Sequence, residues 1–357
     1  LAPILATADV GGPNIAYLSG GNFFLDDAVV RAYGSGYNLA SGHFSIAAGN
    51  ASAIGIDIHD DISSLGTLDN SGSIVVNASG GSNNLALSYI SGIQAFDGPG
   101  PGIYSTALAK ADIASYAGTA YGAGIHIGDD VQGSLTNSGS IGVVVRGGND
   151  NSAEAVLLDV AALAAGGLYG SAYASASAAA YAGAGNAHAY GVDIEDNVSS
   201  NGSVDNTGTI NVTAVGGSSN RAVAIVGAYA SALATFGIVY STVHAEATAL
   251  AGNAYAYGIS VGHDLDGTLS NSGAIIVSAI GGDGNRASAD VINGDLEFQV
   301  GEARARGIYV AGVMTGQLSN SGSITATATG GQDNYFDGNP DNVLADARAY
   351  GIKIGSS

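Results

Sequence analysis

Apolar residues recur at every second position through most of this chain. Val76 and Ala78 follow Ile74, Val212 and Ala214 follow Ile210, and Val277 and Ala279 follow Ile275, with Asn77, Asn211, Thr213 and Ser278 between them. A last copy alternates Thr325, Thr327 and Thr329. A period of two predicts half-buried strands. Alanine follows the same rule over 172–184, where every even position is alanine and Ser175, Ser177 and Tyr181 stand among the odd ones. Ala107, Ala109 and Ala111 flank Lys110, Ala245, Ala247 and Ala249 flank Glu246, and Ala345, Ala347 and Ala349 flank Asp346 and Arg348. Helix propensity alone would turn 172–190 into a helix. A charge between two alanines instead puts the alanines inside, so these segments are expected to be strands lining a thin interior.

The strands belong to a repeat. Five times Leu or Val is followed by one residue and then Asn-Ser/Thr-Gly-x-Ile, and ten residues beyond that Ile lies an Asn preceded by Gly-Gly-x-x. The pairs are Ile74/Asn84, Ile141/Asn151, Ile210/Asn220, Ile275/Asn285 and Ile324/Asn334, and Ile4/Asn14 keeps the ten-residue distance. A second anchor, Gly-Ile/Val-x-Ile/Val, opens at Gly55, Gly124, Gly191, Gly258, Gly307 and Gly351, at spacings of 69, 67, 67, 49 and 44. The late shortening falls between the Gly-Gly-x-x-Asn turn and the next anchor, where either a lost coil or a trimmed hairpin fits. The apolar phase slips by one residue at each anchor glycine, which marks a corner between two strands. Fixed-period self-similarity means stacked units that bury their apolar faces on one another. The expected fold is all-β, a right-handed parallel β-helix (β-solenoid) forming one body over 1–357. Its approximate repeats are 1–70, 71–137, 138–206, 207–271, 272–320 and 321–357.

Charge narrows the partners. Thirty acidic residues against nine basic ones give a net charge of −21, although only 11% of residues are charged. The electrostatic term that dominates nucleic-acid binding therefore has the wrong sign, and so has attraction to an anionic membrane. The absence of cysteine excludes disulfides and thiolate chemistry. The most apolar stretch, 155–165, contains Asp159 and is too short to span a bilayer, so no membrane insertion is expected. Leu1-Ala-Pro-Ile lacks the basic start and long apolar run of a secretory signal.

The segments 68–74, 135–141 and 318–324, reading Leu-Asp-Asn-Ser-Gly-Ser-Ile, Leu-Thr-Asn-Ser-Gly-Ser-Ile and Leu-Ser-Asn-Ser-Gly-Ser-Ile, each follow a Gly-Ile-x-Ile/Val anchor. They resemble the repeats of bacterial autotransporter-type passengers and related secreted β-helix proteins. The resemblance covers nearly the whole chain. It implies an extracellular or cell-surface bacterial protein with a β-helical stalk, adhesive or scaffolding in role. The C-terminal membrane barrel of full-length members is not found in this sequence.

Candidate chemistry sits on the repeat itself. Asp60, Asp61, Asp129, Asp130, Asp196 and Asp264 follow the anchors, and stacking would align them as oxygen ligands for calcium. The plainer reading, that Asp and Asn suit turns, stands first, so no cofactor is expected. A glycan-cleaving site needs acids beside a base or stabiliser and should break the repeat, whereas these acids follow it. The nine basic residues (Arg31, Lys110, Arg146, Arg221, Arg286, Arg304, Arg306, Arg348 and Lys353) look scattered, and no two histidines pair at a metal-ligand spacing. No enzyme is expected. Tyr190, Tyr257 and Tyr350 precede anchors and predict an aromatic ladder, with contact to cell-surface glycans as the sharper alternative. Asn70, Asn137, Asn206, Asn271 and Asn320 predict an amide ladder.

The ends carry the functional expectation. Ile4, Ala6 and Ala8 at one end and Ile352 and Ile354 at the other are candidate self-association edges, because an uncapped strand edge templates further pairing. The chain starts and stops at nearly complementary points of one repeat, so head-to-tail stacking of copies into a filament is expected. An adhesin passenger stalk is the alternative, and a glycan-degrading β-helix enzyme stands third.

Overall fold

The computed structural model describes residues 4–9, 14–20, 28–34, 37–91, 94–97, 103–165, 169–233, 236–290, 295–333, 335–336 and 345–355. Among these every regular element is a strand, and every pairing between strands is parallel. Five sheets run along the stack, numbered here in the order in which one coil visits them.

Sheet 1 holds the anchor strands Ala51–Ile58, Ala120–Ile127, Ala187–Ile194, Ala254–Val261, Ala303–Val310 and Ala347–Ile354. Sheet 2 holds the short strands Thr67–Asn70, Ser134–Asn137, Ser203–Asn206, Thr268–Asn271 and Gln317–Asn320. Sheet 3 holds Ser73–Ser79, Ser140–Arg146, Thr209–Val215, Ala274–Ile280 and Ser323–Thr329. Sheets 4 and 5 are a pair of arms, the first leaving this circuit and the second returning to it. Sheet 4 contains Ile4–Asp9, Ala28–Gly34, Leu85–Ser91, Gln94–Asp97, Ser152–Ala165, Arg221–Leu233, Arg286–Asp290 and Tyr335–Phe336. Sheet 5 contains Asn14–Gly20, Tyr37–Ala47, Ile103–Tyr116, Tyr169–Gly183, Phe236–Leu250 and Asp295–Gln299.

One sequence repeat is thus one circuit of a β-solenoid with two compartments. Sheets 1, 2 and 3 enclose an aliphatic core in which Ile125, Leu135, Ile141, Ile194, Ile210 and Ile259 are among the largest fully buried side chains. Sheets 4 and 5 lie face to face over an alanine core. Ala172, Ala174, Ala176, Ala178, Ala180 and Ala182 all point inward, as the alternation predicted, while Ser175, Ser177 and Tyr181 do not. Small side chains let the two arms approach closely, so this lobe is thin.

Glycine pinches the two compartments apart. The backbone N–H of Gly118 donates to Gly81 O at 3.0 Å, Gly148 to Gly118 at 2.9 Å, Gly185 to Gly148 at 3.0 Å, Gly217 to Gly185 at 2.9 Å and Gly252 to Gly217 at 3.0 Å. This zigzag alternates between the segment entering the arms and the segment leaving them. A Cβ on Gly185 would collide with the Gly118 carbonyl oxygen, and one on Gly148 with the Gly81 carbonyl. The Gly-Gly pairs therefore serve close approach of two backbones. The left-handed residue is the one just before the asparagine: Asn83, Asp150, Ser219, Gly284 and Asp333 have φ of 62°, 56°, 60°, 66° and 53°. Short polar side chains and glycine tolerate that region best.

Two further expectations are corrected, and one open alternative is decided. The anchor glycine does not join two strands. It bends one continuous strand, and the burial phase slips there, since Ala187 and Ala189 point in before Gly191 and Val192 and Ile194 after it. A Cβ on Gly191 would strike Ile210 of sheet 3, so the two sequence anchors meet in space. The shorter late repeats have not lost a coil. Their arms are trimmed from 13 and 15 residues (Arg221–Leu233, Phe236–Leu250) to 5 and 5 (Arg286–Asp290, Asp295–Gln299). Finally, Ile4/Asn14 is not a sixth copy of the frame. Ile4 pairs with Ala28 in sheet 4 and Asn14 with Asn38 in sheet 5, so the strands between 4 and 47 extend the arms alone. The split of the frame between the two chain ends is lost with it. Ile4, Ala6 and Ala8 lie on the outermost strand of sheet 4, whereas Ile352 and Ile354 lie on the outermost strand of sheet 1, so these edges do not match each other.

Candidate functional site

Most outward positions repeat from coil to coil, but the outer face of sheet 1 does not. Register aligns three columns across it. The first reads Ser52, Tyr121, His188, Tyr255, Arg304, Arg348, and the second Ile54, Ala123, Tyr190, Tyr257, Arg306, Tyr350. The third reads Asp57, His126, Asp193, Ser260, Tyr309, Lys353. Along the stack the chemistry passes from acid to aromatic to base.

At the acidic end the Tyr121 hydroxyl donates to Asp193 Oδ2 at 2.7 Å. His126 lies among carboxylates, with Nδ1 3.7 Å from Asp193 Oδ2 and Nε2 3.7 Å from Glu195 Oε1 and 4.0 Å from Asp57 Oδ1. Burial raises the Asp193 pKa above the usual carboxylate range, against the opposing pull of the Tyr121 hydrogen bond and of His126. The Tyr121 phenol is pushed up as well, first by burial and then by Asp193.

In the middle, Tyr190 and Tyr257 stack with centroids 4.9 Å apart and planes 5° apart, and Tyr257 is tilted against Tyr309 at 5.7 Å. His188 stacks on Tyr255 at 4.9 Å, and burial lowers its pKa. The predicted tyrosine ladder thus exists at Tyr190 and Tyr257, but Arg306 stands between Tyr257 and Tyr350. Its guanidinium lies 4.1 Å from the Tyr309 centroid and 5.3 Å from that of Tyr257, so a flat cation continues the stack. Arg306 is 5% exposed and its Nε has no hydrogen-bond partner among the described residues.

The basic end corrects the impression of scattered cations. Arg304, Arg306, Arg348 and Lys353, four of the nine, sit on two adjoining strands. Arg304 pairs with Glu302 at 2.8 Å and Arg348 with Asp346 at 3.0 Å. Lys353 lies over the Tyr350 ring at 5.2 Å and has no carboxylate partner among the described residues. Its pKa is lowered by desolvation and then by Arg306, Arg304 and Arg348.

The residues suggested as calcium ligands form two columns instead. Asp61 Oδ1 accepts the Asp130 N–H at 2.9 Å, Asp130 Oδ1 that of Asn197 at 3.0 Å, Asn197 Oδ1 that of Asp264 at 2.9 Å, and Asp264 Oδ1 that of Val313 at 2.7 Å. The column needs an acceptor oxygen in each coil, which is why Asn197 can replace aspartate. Asp60, Asp129 and Asp196 line the neighbouring column, where desolvation and then the carboxylates of Asp61, Asp60, Asp196 and Asp130 raise the Asp129 pKa. Among the described residues no three His, Asp or Glu side chains converge on a cation position.

Two asparagine ladders bind the coils. The predicted one runs Asn70, Asn137, Asn206, Asn271, Asn320, each Nδ2 donating to the next Oδ1 at 2.7 Å. The second, at the asparagine that ends each Gly-Gly-x-x-Asn turn, runs Asn84, Asn151, Asn220, Asn285 at 2.8, 2.8 and 2.6 Å. Asn334 lies outside the described residues.

Ile352 and Ile354 are 40% and 43% exposed, while Ile308 and Val310, one rung inward, are both 0% exposed. Among the described residues no helix is long and apolar enough to cross a membrane. Compared with protein-family models, curated proteins and solved structures, the chain matches none.

Proposed function

We propose that the protein is an extracellular structural β-solenoid that associates with further copies along its axis, forming a fibre. One observation carries this reading. Ile352 and Ile354, on the last described strand of sheet 1, are 40% and 43% exposed, whereas their counterparts Ile308 and Val310 one rung inward are 0% exposed. Covering the exposed two-fifths of each would stabilise by about 1 kcal/mol, and parallel addition of a strand supplies that cover together with backbone pairing. A contact between unlike edges does not close on itself, so it extends. The extracellular placement rests on the likeness of the Asn-Ser-Gly-Ser-Ile frames to secreted β-helix repeats. Sedimentation velocity of the 357-residue chain over a wide concentration range tests the reading. Mass should grow with concentration, and Ile352→Lys with Ile354→Lys should abolish that growth. A monomer at every concentration overturns it.

A second reading, an adhesive stalk, is favoured by the stacked Tyr190 and Tyr257 on a face that breaks the repeat, since aromatic faces suit sugar rings. Glycan-array binding lost on Tyr257→Ala, with the melting temperature held, would support it.

A further inference from the structure

The outer face of sheet 1 holds one buried charge that lacks a counter-ion. The column just before the anchor glycines reads Tyr190, Tyr257, Arg306, Tyr350, so tyrosine fits the ladder on both sides of the arginine. Arg306 is 5% exposed, and its Nε meets no hydrogen-bond partner among the described residues. No carboxylate among those residues pairs with it either, whereas Glu302 balances Arg304 on the same strand at 2.8 Å. The rings of Tyr309 and Tyr257, centred 4.1 Å and 5.3 Å from its guanidinium carbon, offset part of the cost of taking the charge out of water. A ring face is still a poor substitute for the in-plane acceptors that the guanidinium fork is shaped to meet. The position is interior to sheet 1, with strand Ala254–Val261 paired on one side of it and Ala347–Ile354 on the other.

Neutral hydrogen-bonding groups surround this cation. At the acidic end of the same face the Tyr121 hydroxyl is taken up by Asp193. Near Arg306, by contrast, no hydrogen bond among the described residues involves the hydroxyls of Tyr255, Tyr257 or Tyr309. Burial raises the pKa of the Tyr257 phenol against the pull of Arg306, so the group keeps its proton and can donate.

Building on the adhesive-stalk reading, we propose that Arg306 with Tyr255, Tyr257 and Tyr309 binds a saccharide in which a uronic acid stands among neutral sugars. The sugar carboxylate meets the Arg306 guanidinium, and ring hydroxyls meet the phenols. A planar carboxylate suits the arginine fork through paired hydrogen bonds. One buried cation balances one carboxylate. A densely charged polyanion is disfavoured, because it would approach a chain of net charge −21.

Isothermal titration calorimetry of the 357-residue chain tests this with oligomers of hyaluronan and of glucuronoxylan, both of which space their glucuronates with neutral sugars. At least one should bind. Reducing its carboxylates to primary alcohols keeps every ring and should weaken binding at least about tenfold. Arg306→Tyr continues the ladder, so it should keep the melting temperature and lower the affinity for the uronate to that of the reduced oligomer. Arg306→Lys keeps the charge without the paired geometry and should recover only part of the affinity. Equal binding of native and reduced oligomers, lost on Tyr257→Ala, overturns the inference and leaves the stalk reading standing. Tripolyphosphate bound as tightly as the uronate overturns it too, because the patch would then select charge and not sugar. No binding of any of these oligomers overturns it, and with a blank glycan array the stalk reading falls as well.

Discussion

The two compartments of each coil obey the same alternation but differ in what they tolerate. In the aliphatic compartment the strands of sheets 1, 2 and 3 keep 8, 4 and 7 residues from the first coil to the fifth. In the alanine compartment the strands of the returning arm, sheet 5, run from 15 residues at Tyr169–Gly183 down to 5 at Asp295–Gln299. The aliphatic compartment is a closed circuit, in which each strand length fixes where the next corner falls and where Ile210 meets Gly191. The arms are two sheets in face contact over alanine, so residues can be added or removed in pairs. Alanine suits that arrangement because every layer is interchangeable. The cost is low burial per residue, at about 0.8 kcal/mol for each carbon removed from water.

The boundary between the compartments should be the most sensitive place. Gly185→Val forces a branched side chain into the Gly118 carbonyl and should cost more than about 4 kcal/mol, enough to lose cooperative urea unfolding. A variant that unfolds like the parent would mean that the two backbones do not touch there. Next comes the contrast in cores. Ile210→Ala, in the closed circuit, should cost about 2–5 kcal/mol, whereas Ala178→Gly, in an arm, should cost only about 0.5–1 kcal/mol. Equal midpoint shifts in denaturant would erase the distinction.

A larger edit should do less harm. Replacing 226–245 with the four residues 291–294 gives the third coil the arms of the fourth. The melting temperature should then move by only a few degrees, because sheets 1 to 3 are untouched. Loss of folding would show that the long arms stabilise the circuit. The smallest effect is titration on the outer face of sheet 1. Burial lowers the His188 pKa, so the unfolded chain takes up this proton first as pH falls through about 6.5. Stability owed to neutral His188 is therefore complete above that pH and declines below it. His188→Gln should flatten this part of the profile of unfolding free energy against pH, and an unchanged profile would contradict the sign.

Much of this difference was legible in the residues. Lys110 between Ala109 and Ala111, and Glu246 between Ala245 and Ala247, identified the arms as strands against alanine's helix propensity. The amide ladder was legible because Asn70 and its equivalents recur at a fixed offset. The waist was missed because its partners, such as Gly81 and Gly118, are far apart in sequence and no local rule connects them. A signal existed: Gly49, Gly118, Gly185, Gly252 and Gly301 each stand six residues ahead of an anchor glycine. Ile4/Asn14 misled because a ten-residue spacing is weak by itself, and Gly11-Gly12-Pro13-Asn14 is one residue short of the Gly-Gly-x-x-Asn turn. Beyond the tyrosines, the mixed face of sheet 1 was not legible because its columns assemble from residues 44 to 69 positions apart whose identity changes from coil to coil.

Electron cryomicroscopy of the concentrated 357-residue chain tests axial association directly. Fibres of solenoids stacked along a common axis, with the strand spacing of about 4.8 Å along the fibre, are the expected result. Isolated single solenoids at every concentration, with Ile352 and Ile354 facing solvent, would contradict it.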